Sequence, residues 1–95
     1  MEFSPELRAE VLTGRITVSF RLWRRPKVKV GGRYGVEAGQ IEVDSVALIP
    51  FSSIDDADLR RSGEADRESL RQRAAHAGPI HDNTLLYRIE FHVVD

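Results

Sequence analysis

The sequence predicts a small α+β domain in which mainly antiparallel strands curl into an open barrel. Apolar residues follow a helical spacing near the N-terminus, alternate from Ile16 onward, return to a helical spacing after residue 53 and alternate again at the end. Neither an internal repeat nor a linker interrupts the 95 residues, and a chain of this length forms one domain, here 1–95. The expected order is a helix, three or four strands, two paired helices and a last strand.

The N-terminal helix is expected to run from about Pro5 to Thr13. Ser4 is a typical N-cap, proline is favoured at the first helical position, and Gly14 supplies the left-handed residue that often ends a helix. A strand follows over residues 16–22, because apolar and polar side chains alternate there. In this strand the residues expected to be buried are Val18 and Phe20, and those expected to face a groove are Thr17 and Ser19.

Two further strands are expected after a turn at Gly31-Gly32. The segment "RYGVEAG" is typical of a short strand and turn, and "QIEVDSVALIPF" of a longer strand. Alternation in the longer strand predicts one shared face for Ile41, Val43, Ser45 and Ala47. The last strand is predicted from the alternating segment "TLLYRIEFHVV".

Two short helices are expected before that last strand. Ser53 and Asp56 have the spacing of a capping box, and Gly63 ends the first helix. Asp66 caps the second helix, which closes at Gly78-Pro79. The residues that recur at helical spacing in the second helix are Leu70, Ala74 and Ala77.

The charge of the chain is strongly segregated. The whole chain has a formal net charge of −1, whereas residues 11–36 carry seven arginines and lysines and no acid. Residues 1–10 sum to −2, and residues 37–95 sum to −6. Such a concentration of one sign creates a strong local field. It predicts an anionic partner for one face of the domain.

The basic stretch supplies the candidate RNA-binding residues. Arginine predominates in it, and guanidinium groups both pair with phosphates and stack on unpaired bases. Trp23 and Tyr34 flank the cluster with rings of the kind on which single-stranded RNA stacks. The predicted RNA-binding residues are Arg15, Thr17, Ser19, Arg21, Trp23, Arg24, Arg25, Lys27, Lys29, Arg33 and Tyr34.

Structural roles for the same residues are open alternatives. Arg21 would serve as a rim arginine paired with Glu90 or Glu42. Trp23 is compatible with a core or lid position as well as with base stacking. Basic residues on an edge strand discourage aggregation without binding anything. An acidic protein partner would also satisfy the positive field.

Three segments of the chain carry a family resemblance. They are "GRITVSFR", a strand after a glycine-ended helix; "PKVKVGGRY" followed by "GQIEVDSVALIPFSSI", a basic turn and a strand; and the helical "DADLRRSGEADRESL". In this order and spacing they resemble the ASCH domain family, part of the PUA-like superfamily of small β-barrels. The resemblance implies a PUA-like open barrel with an N-terminal helix and a two-helix insert before the last strand. It also implies a cleft for RNA or a nucleotide-like ligand.

The resemblance offers an enzymatic alternative as well. The family signature on the first strand is G-x-K-x-x-E-x-R; Arg21 matches it, while Ile16 stands at the lysine and Ser19 at the glutamate. The similar bacterial acetylcytidine amidohydrolases have threonine at the Ser19 position. They depend on the lysine and on a glutamate in the insert, where this chain has Ser62, with Glu64 two residues on. Isoleucine neither activates a nucleophile nor donates a proton, so no catalytic residue is predicted. A small hydrolase acting on a modified nucleoside, or a ribonuclease, stays the alternative to RNA binding.

Composition excludes several other classes. Without cysteine there is no disulfide framework or thiolate metal site, and three separated histidines predict no metal site. No phosphate-binding loop or dinucleotide fingerprint occurs, so no cofactor is predicted. The N-terminus is unlike a secretory signal, and no apolar run approaches the roughly 20 residues that span a membrane. We therefore expect a cytoplasmic RNA-binding module.

Overall fold

The described residues of this computed structural model, 1–75 and 78–94, form three α-helices and four strands. In chain order these are α1 (Pro5–Leu12), β1 (Val18–Arg21), β2 (Arg33–Val36), β3 (Gly39–Pro50), α2 (Asp56–Arg61), α3 (Arg67–Ala74) and β4 (Leu85–Val94). A 3₁₀ turn at Phe51–Ser53 connects β3 to the two insert helices. The α+β class and the predicted order of elements are confirmed. Within the described ranges, no helix is long and apolar enough to cross a membrane.

The four strands pair antiparallel in the order β1-β4-β3-β2. The longest pairing joins β3 to β4, from Gln40 opposite Val94 to Pro50 opposite Leu85. The outer strands β1 and β2 lie at opposite edges of the sheet, and no ladder between them is formed by the residues described. An antiparallel sheet is what the structure shows, and its closure into a barrel stays a prediction.

Each face of the sheet carries its own apolar cluster. On β4, Ile89 and Phe91 contribute to one cluster and Leu86 to the other, because successive side chains of a strand alternate between faces. The first cluster packs against α1 and the segment between β1 and β2; its other buried members are Phe3, Val11, Ile16, Val28, Val36, Ile41 and Val43. The insert helices cover the second; its other buried members are Val18, Phe20, Phe51, Ile54, Leu59, Leu70, Ala74 and Ile80.

Strand β1 is shorter than the predicted residues 16–22. Gly14 ends the preceding turn with φ +83°, and its N–H donates to the carbonyl of Val11, as a glycine-ended helix requires. The burial of Val18 and Phe20 is confirmed, with 0% and 5% of their surface exposed. Ile16 is also buried, but it belongs to the opposite cluster, since it precedes the regular alternation.

The predicted shared face of β3 is wrong beyond Val43. The pairing shifts there, with Val43 opposite Phe91 and Ser45 opposite Glu90, so Asp44 is an extra residue. Such a bulge reverses the alternation of side chains downstream of it. Ala47 is consequently exposed and Val46 packs on the first cluster instead.

The caps of the insert differ from the prediction in one place. Asp55, not Ser53, caps α2, and its Oδ1 accepts from the N–H of Asp58 at 2.8 Å. Ser53 is the last residue of the 3₁₀ turn that the buried Phe51 anchors. The second predicted cap is confirmed: Oδ1 of Asp66 accepts from the N–H of Ser69 at 2.8 Å. The predicted helical position Ala77 lies outside the described residues, as does the neighbouring His76.

Candidate functional site

A cleft of about 480 Å³ runs along the open edge of β1. The N-terminal segment and the start of α1 form one wall, and the insert helices form the other. An edge strand presents unpaired backbone N–H and C=O groups, so β1 offers the cleft backbone hydrogen bonds as well as side chains. The cleft is lined by Glu2, Phe3, Ser4, Leu7, Val18, Ser19, Phe20, Arg21, Leu22, Trp23, Lys27, Ser62, Glu64, Leu70, Arg73 and Ala74.

Arg21 is held in one orientation within the cleft. Its Nε donates to Ser19 Oγ at 2.8 Å, and its Nη2 donates to the carbonyl of Glu2 at 2.5 Å. The guanidinium carbon lies 5.1 Å from the ring centroid of Phe3 and 5.9 Å from that of Trp23. Burial lowers the pKa of Arg21 and the carboxylate of Glu2 opposes the shift, but a guanidinium stays charged at neutral pH. The result is a fixed, partly desolvated cation.

The rim role that pairs Arg21 with Glu90 or Glu42 is wrong. The carboxylate of Glu90 is bound by Arg61 and Arg88, at 3.1 and 3.0 Å. That of Glu42 is bound by Arg33 at 3.1 Å.

A buried carboxylate lies on the opposite wall. Glu64 is only 6% exposed, and Nε of Arg73 donates to its Oε1 in a short ion pair. The same guanidinium donates to Ser4 Oγ at 3.1 Å and to Glu6 Oε1 at 3.3 Å. Burial lowers the pKa of Arg73, but the carboxylates of Glu64 and Glu6 outweigh it and leave the pKa raised. Arg73 thus ties α3 to the start of α1 across the cleft.

Trp23 connects the cleft to the sheet. Its ring packs partly against the first apolar cluster, with its centroid 6.2 Å from that of Tyr87 on β4. The ammonium of Lys27 lies 5.9 Å above the same ring. Both predicted roles of Trp23 are therefore compatible with its position, since one part of the ring is packed and it also lines the cleft.

The seven cations of the basic stretch divide into three groups, one of which is Arg21 in the cleft. Arg15 pairs with Glu10 at 3.2 Å and Arg33 with Glu42 at 3.1 Å, so these two are already compensated. Besides Arg21, the remaining four are Arg24, Arg25, Lys27 and Lys29, which we call the basic loop. All four are exposed, and no carboxylate of residues 1–75 or 78–94 forms an ion pair with them.

Seven predicted site residues are not among those that line the cleft: Arg24, Arg25 and Lys29 of the basic loop, the ion-paired Arg33, and Arg15, Thr17 and Tyr34. Thr17 accepts a hydrogen bond from Nε of Arg61 at 3.0 Å, which fixes the insert to the start of β1. Arg15 lies beside a second, more open cavity of about 540 Å³. The hydroxyl of Tyr34, on the far edge strand β2, accepts from the N–H of Lys29 at 3.0 Å and so braces the basic loop.

Sequence reasoning missed the N-terminal wall and Arg73. Glu2 and Ser4 are polar residues beside a helix start, and nothing local indicates that they meet β1 across the fold. The two positions considered for a catalytic acid, Ser62 and Glu64, do line the cleft. Ile16, at the position of the family lysine, does not; it is buried in the first cluster.

A group of possible ligand atoms lies elsewhere, on β3 and β4. Oxygens of Glu42 and Asp44 and a ring nitrogen of His92 lie within 4.8 Å of one another. Arg33 binds Glu42, and Nδ1 of His92 is 2.8 Å from Oδ1 of Asp44. These contacts are an ion pair and a hydrogen bond at the protein surface.

No protein-family model and no curated protein matches the sequence. Among solved structures, the chain is similar to the ASCH domain from Lactobacillus crispatus JV V101, with a TM-score of 0.75 and 20% identity over 93% of this chain and 70% of that one. It is also similar to protein EF3133 from Enterococcus faecalis V583, described by the family model DUF984, with a TM-score of 0.72 and 16% identity over 95% of this chain and 68% of that one. The chain therefore has the ASCH fold that the resemblance of its sequence implied.

Proposed function

We propose that this domain binds RNA, with one nucleotide in the cleft and phosphates on the basic loop. The observation that carries the proposal is the position of three cations of the basic loop, Arg24, Arg25 and Lys27, in the cleft lining or next to a residue of that lining. Lys27 lines the cleft itself, and Arg24 and Arg25 directly follow Trp23, which also lines it. Exposed cations without carboxylate partners retain their capacity to neutralise phosphates.

The chemistry of the cleft fits a nucleotide. Its volume of about 480 Å³ is in the range of small-ligand sites. Arg21 supplies a fixed guanidinium plane, Ser19 a hydroxyl, and the β1 edge a row of backbone donors and acceptors. Unpaired bases are recognised by groups of this kind, through stacking and through hydrogen bonds to their edges.

Two further parts of the proposal concern shape and compartment. We propose that the sheet curls into an open barrel and that the domain acts in the cytoplasm.

The hydrolase alternative is the weaker one. Glu64 is a buried carboxylate in the cleft, but its Oε1 is bound by Arg73. Ile16 places hydrocarbon in the core where the similar amidohydrolases have their lysine. The cleft therefore lacks the lysine of those enzymes, and the glutamate of its insert is held in an ion pair, so neither group is placed for the proton transfer that amide hydrolysis needs. Release of cytidine from acetylcytidine by the wild-type protein would contradict this reasoning.

Charge removal at the basic loop tests the proposal. Each phosphate neutralised on a single strand contributes roughly 0.7 to the logarithmic dependence of affinity on salt. We expect Arg24→Gln with Arg25→Gln to weaken binding of single-stranded RNA at low salt and to flatten its salt dependence by about 1.4. Fluorescence anisotropy over a salt series measures both quantities.

A matched control is Arg15→Gln with Arg33→Gln. It removes the same charge from the same stretch, but from residues that carboxylates already bind. We expect a much smaller change in the salt dependence. Equal effects of the two double variants would show that overall charge, and not the basic loop, sets the affinity. Binding of an acidic protein but of no RNA would favour the acidic-partner alternative.

A further inference from the structure

An apolar strip lies exposed on the sheet beside the cleft. Leu48 and Leu85 are each 50% exposed, although both are on regular strands. Leu48 is directly opposite Tyr87, and Pro50 is opposite Leu85, so the four side chains share one face of the sheet. Trp23 packs on Tyr87 and completes the strip, which we define as Trp23, Leu48, Pro50, Leu85 and Tyr87.

The strip is continuous with the cleft on one side. Trp23 belongs to both, because it lines the cleft and contacts Tyr87. The basic loop begins at the next residue, and the ammonium of Lys27 lies over the Trp23 ring. An uncovered apolar surface therefore meets a row of exposed cations that have no carboxylate partner among the residues described.

We propose that a nucleotide flanking the one in the cleft stacks on this strip, so that the ligand is single-stranded RNA and not a free nucleotide. The inference rests on the proposed function. Aromatic rings beside a positively charged groove are the arrangement that binds single strands, since every base has a face that stacks. The positive charge of the basic loop complements the phosphate that links the two nucleotides. The face of Tyr87 and the flanking leucines exclude water from the stacked base.

A length series tests the inference. The probes are the four nucleoside 5′-monophosphates and the four matching homohexamers, at a salt concentration that weakens the phosphate contacts. We expect the wild type to bind a hexamer at least about tenfold more tightly than its mononucleotide. Tyr87→Leu keeps apolar volume in the strip and removes the planar ring. We expect it to lose most of that gain while the affinity for mononucleotides stays within about twofold.

Two further variants keep the result interpretable. Leu48→Ser changes a half-exposed side chain of the strip, so it gives the same test if Tyr87→Leu lowers the melting temperature. Val30→Ser removes a large exposed apolar side chain outside the strip. Val30 precedes Gly31, whose N–H donates to the carbonyl of Val43, five positions before Leu48 on β3. That distance is roughly 16 Å along a strand, so Val30→Ser should bind hexamers as the wild type does.

The outcomes separate the inference from the function on which it rests. If both strip variants bind hexamers as the wild type does, the role of the strip is overturned and RNA binding in the cleft stands. The same holds if Val30→Ser reduces hexamer affinity as much as the strip variants do. If the wild type binds none of the mononucleotides and none of the hexamers, both the strip and the proposed RNA binding are overturned. In that case the strip and the basic loop together would fit an acidic protein partner.

Discussion

Two basic regions of this molecule use their cations in opposite ways. In the basic loop, the cations are exposed and have no ion pair with the residues described. Around the insert, the guanidinium groups are bound by acceptors. These groups, which we call the insert arginines, are Arg61, Arg67, Arg71, Arg73 and Arg88. The partners of a cation, and not the number of cations, distinguish a surface open to ligands from one that holds the fold together.

The insert arginines act as cross-links between elements. Arg67 donates to the carbonyls of Phe51 and Ile54, and Arg71 donates to the carbonyl of Ile80 at 2.6 Å. Both guanidinium groups also lie over the ring of Phe51, that of Arg71 at 4.7 Å from its centroid. A planar group with several fixed donors suits this role, because one side chain satisfies two carbonyls at once, as Arg67 does. The insert is thereby fixed on the second apolar cluster.

The largest effect that we expect is the loss of stability in Asp58→Asn. Arg88 donates to both oxygens of this carboxylate, from Nε to Oδ2 at 2.7 Å and from Nη2 to Oδ1 at 3.0 Å. The side chain of Arg88 is only 19% exposed and that of Asp58 only 16%. Removing the charge should lower the free energy of unfolding by about 2 kcal/mol, the range of a charge-assisted hydrogen bond. Urea denaturation followed by circular dichroism measures it.

Two variants, one in the same helix and one in the basic loop, are controls for this experiment. Asp56→Asn removes a charge from an exposed side chain in the first turn of the same helix. We expect it to lower the free energy of unfolding by only about 0.3 kcal/mol. The double variant Arg24→Gln, Arg25→Gln should stay within about 0.5 kcal/mol of the wild type. A loss in the basic loop as large as that in Asp58→Asn would remove the distinction between the two regions.

The pH dependence of stability should show the same difference between the basic loop and the insert arginines. Hydrogen bonds from Arg88 lower the pKa of Asp58, and those from Arg88 and Arg61 lower the pKa of Glu90. A carboxyl whose pKa is lower in the folded state stabilises the fold above its unfolded pKa, and that stability is lost as the pH falls through the folded pKa. We therefore expect the free energy of unfolding to decrease below about pH 5.

The variants of the two regions should respond differently to this titration. Asp58→Asn should show a shallower decrease, because one of the two linked carboxyls is absent. The basic-loop double variant should follow the slope of the wild type. A slope in Asp58→Asn equal to that of the wild type would show that other carboxyls control the acid response.

Most of the fold is encoded by local patterns, and the site is only partly so. Gly14 ends its helix turn, Asp66 caps α3, and Val18 and Phe20 are buried as alternation predicts. The bulge at Asp44 was not predictable, because an extra residue in one strand is defined only by its partner strand. Local spacing likewise could not show every pairing of cations with acids, since Arg88 binds Asp58, 30 residues away in the chain.

The smallest expected effect concerns the wall of the cleft. Burial lowers the pKa of the Arg21 guanidinium, and the carboxylate of Glu2 lies close enough to offset part of that lowering. It therefore opposes the approach of a phosphate to the same cation. Glu2→Gln leaves the backbone carbonyl that accepts from Arg21 in place. We expect RNA affinity to rise about twofold at low salt and the gain to disappear at high salt, as for an exposed charge pair.

Glu37→Gln is the matched control for this last variant, because it changes the net charge equally. Its carboxylate pairs with Arg8 at 3.4 Å, in the turn between β2 and β3 and away from the residues that line the cleft. If the effect of Glu2 is local, Glu37→Gln should leave RNA affinity unchanged in the same titration. Equal gains in the two variants would instead mean that the acidic part of the chain weakens binding through its overall field. The N-terminal wall would then have no particular role in excluding phosphates from Arg21.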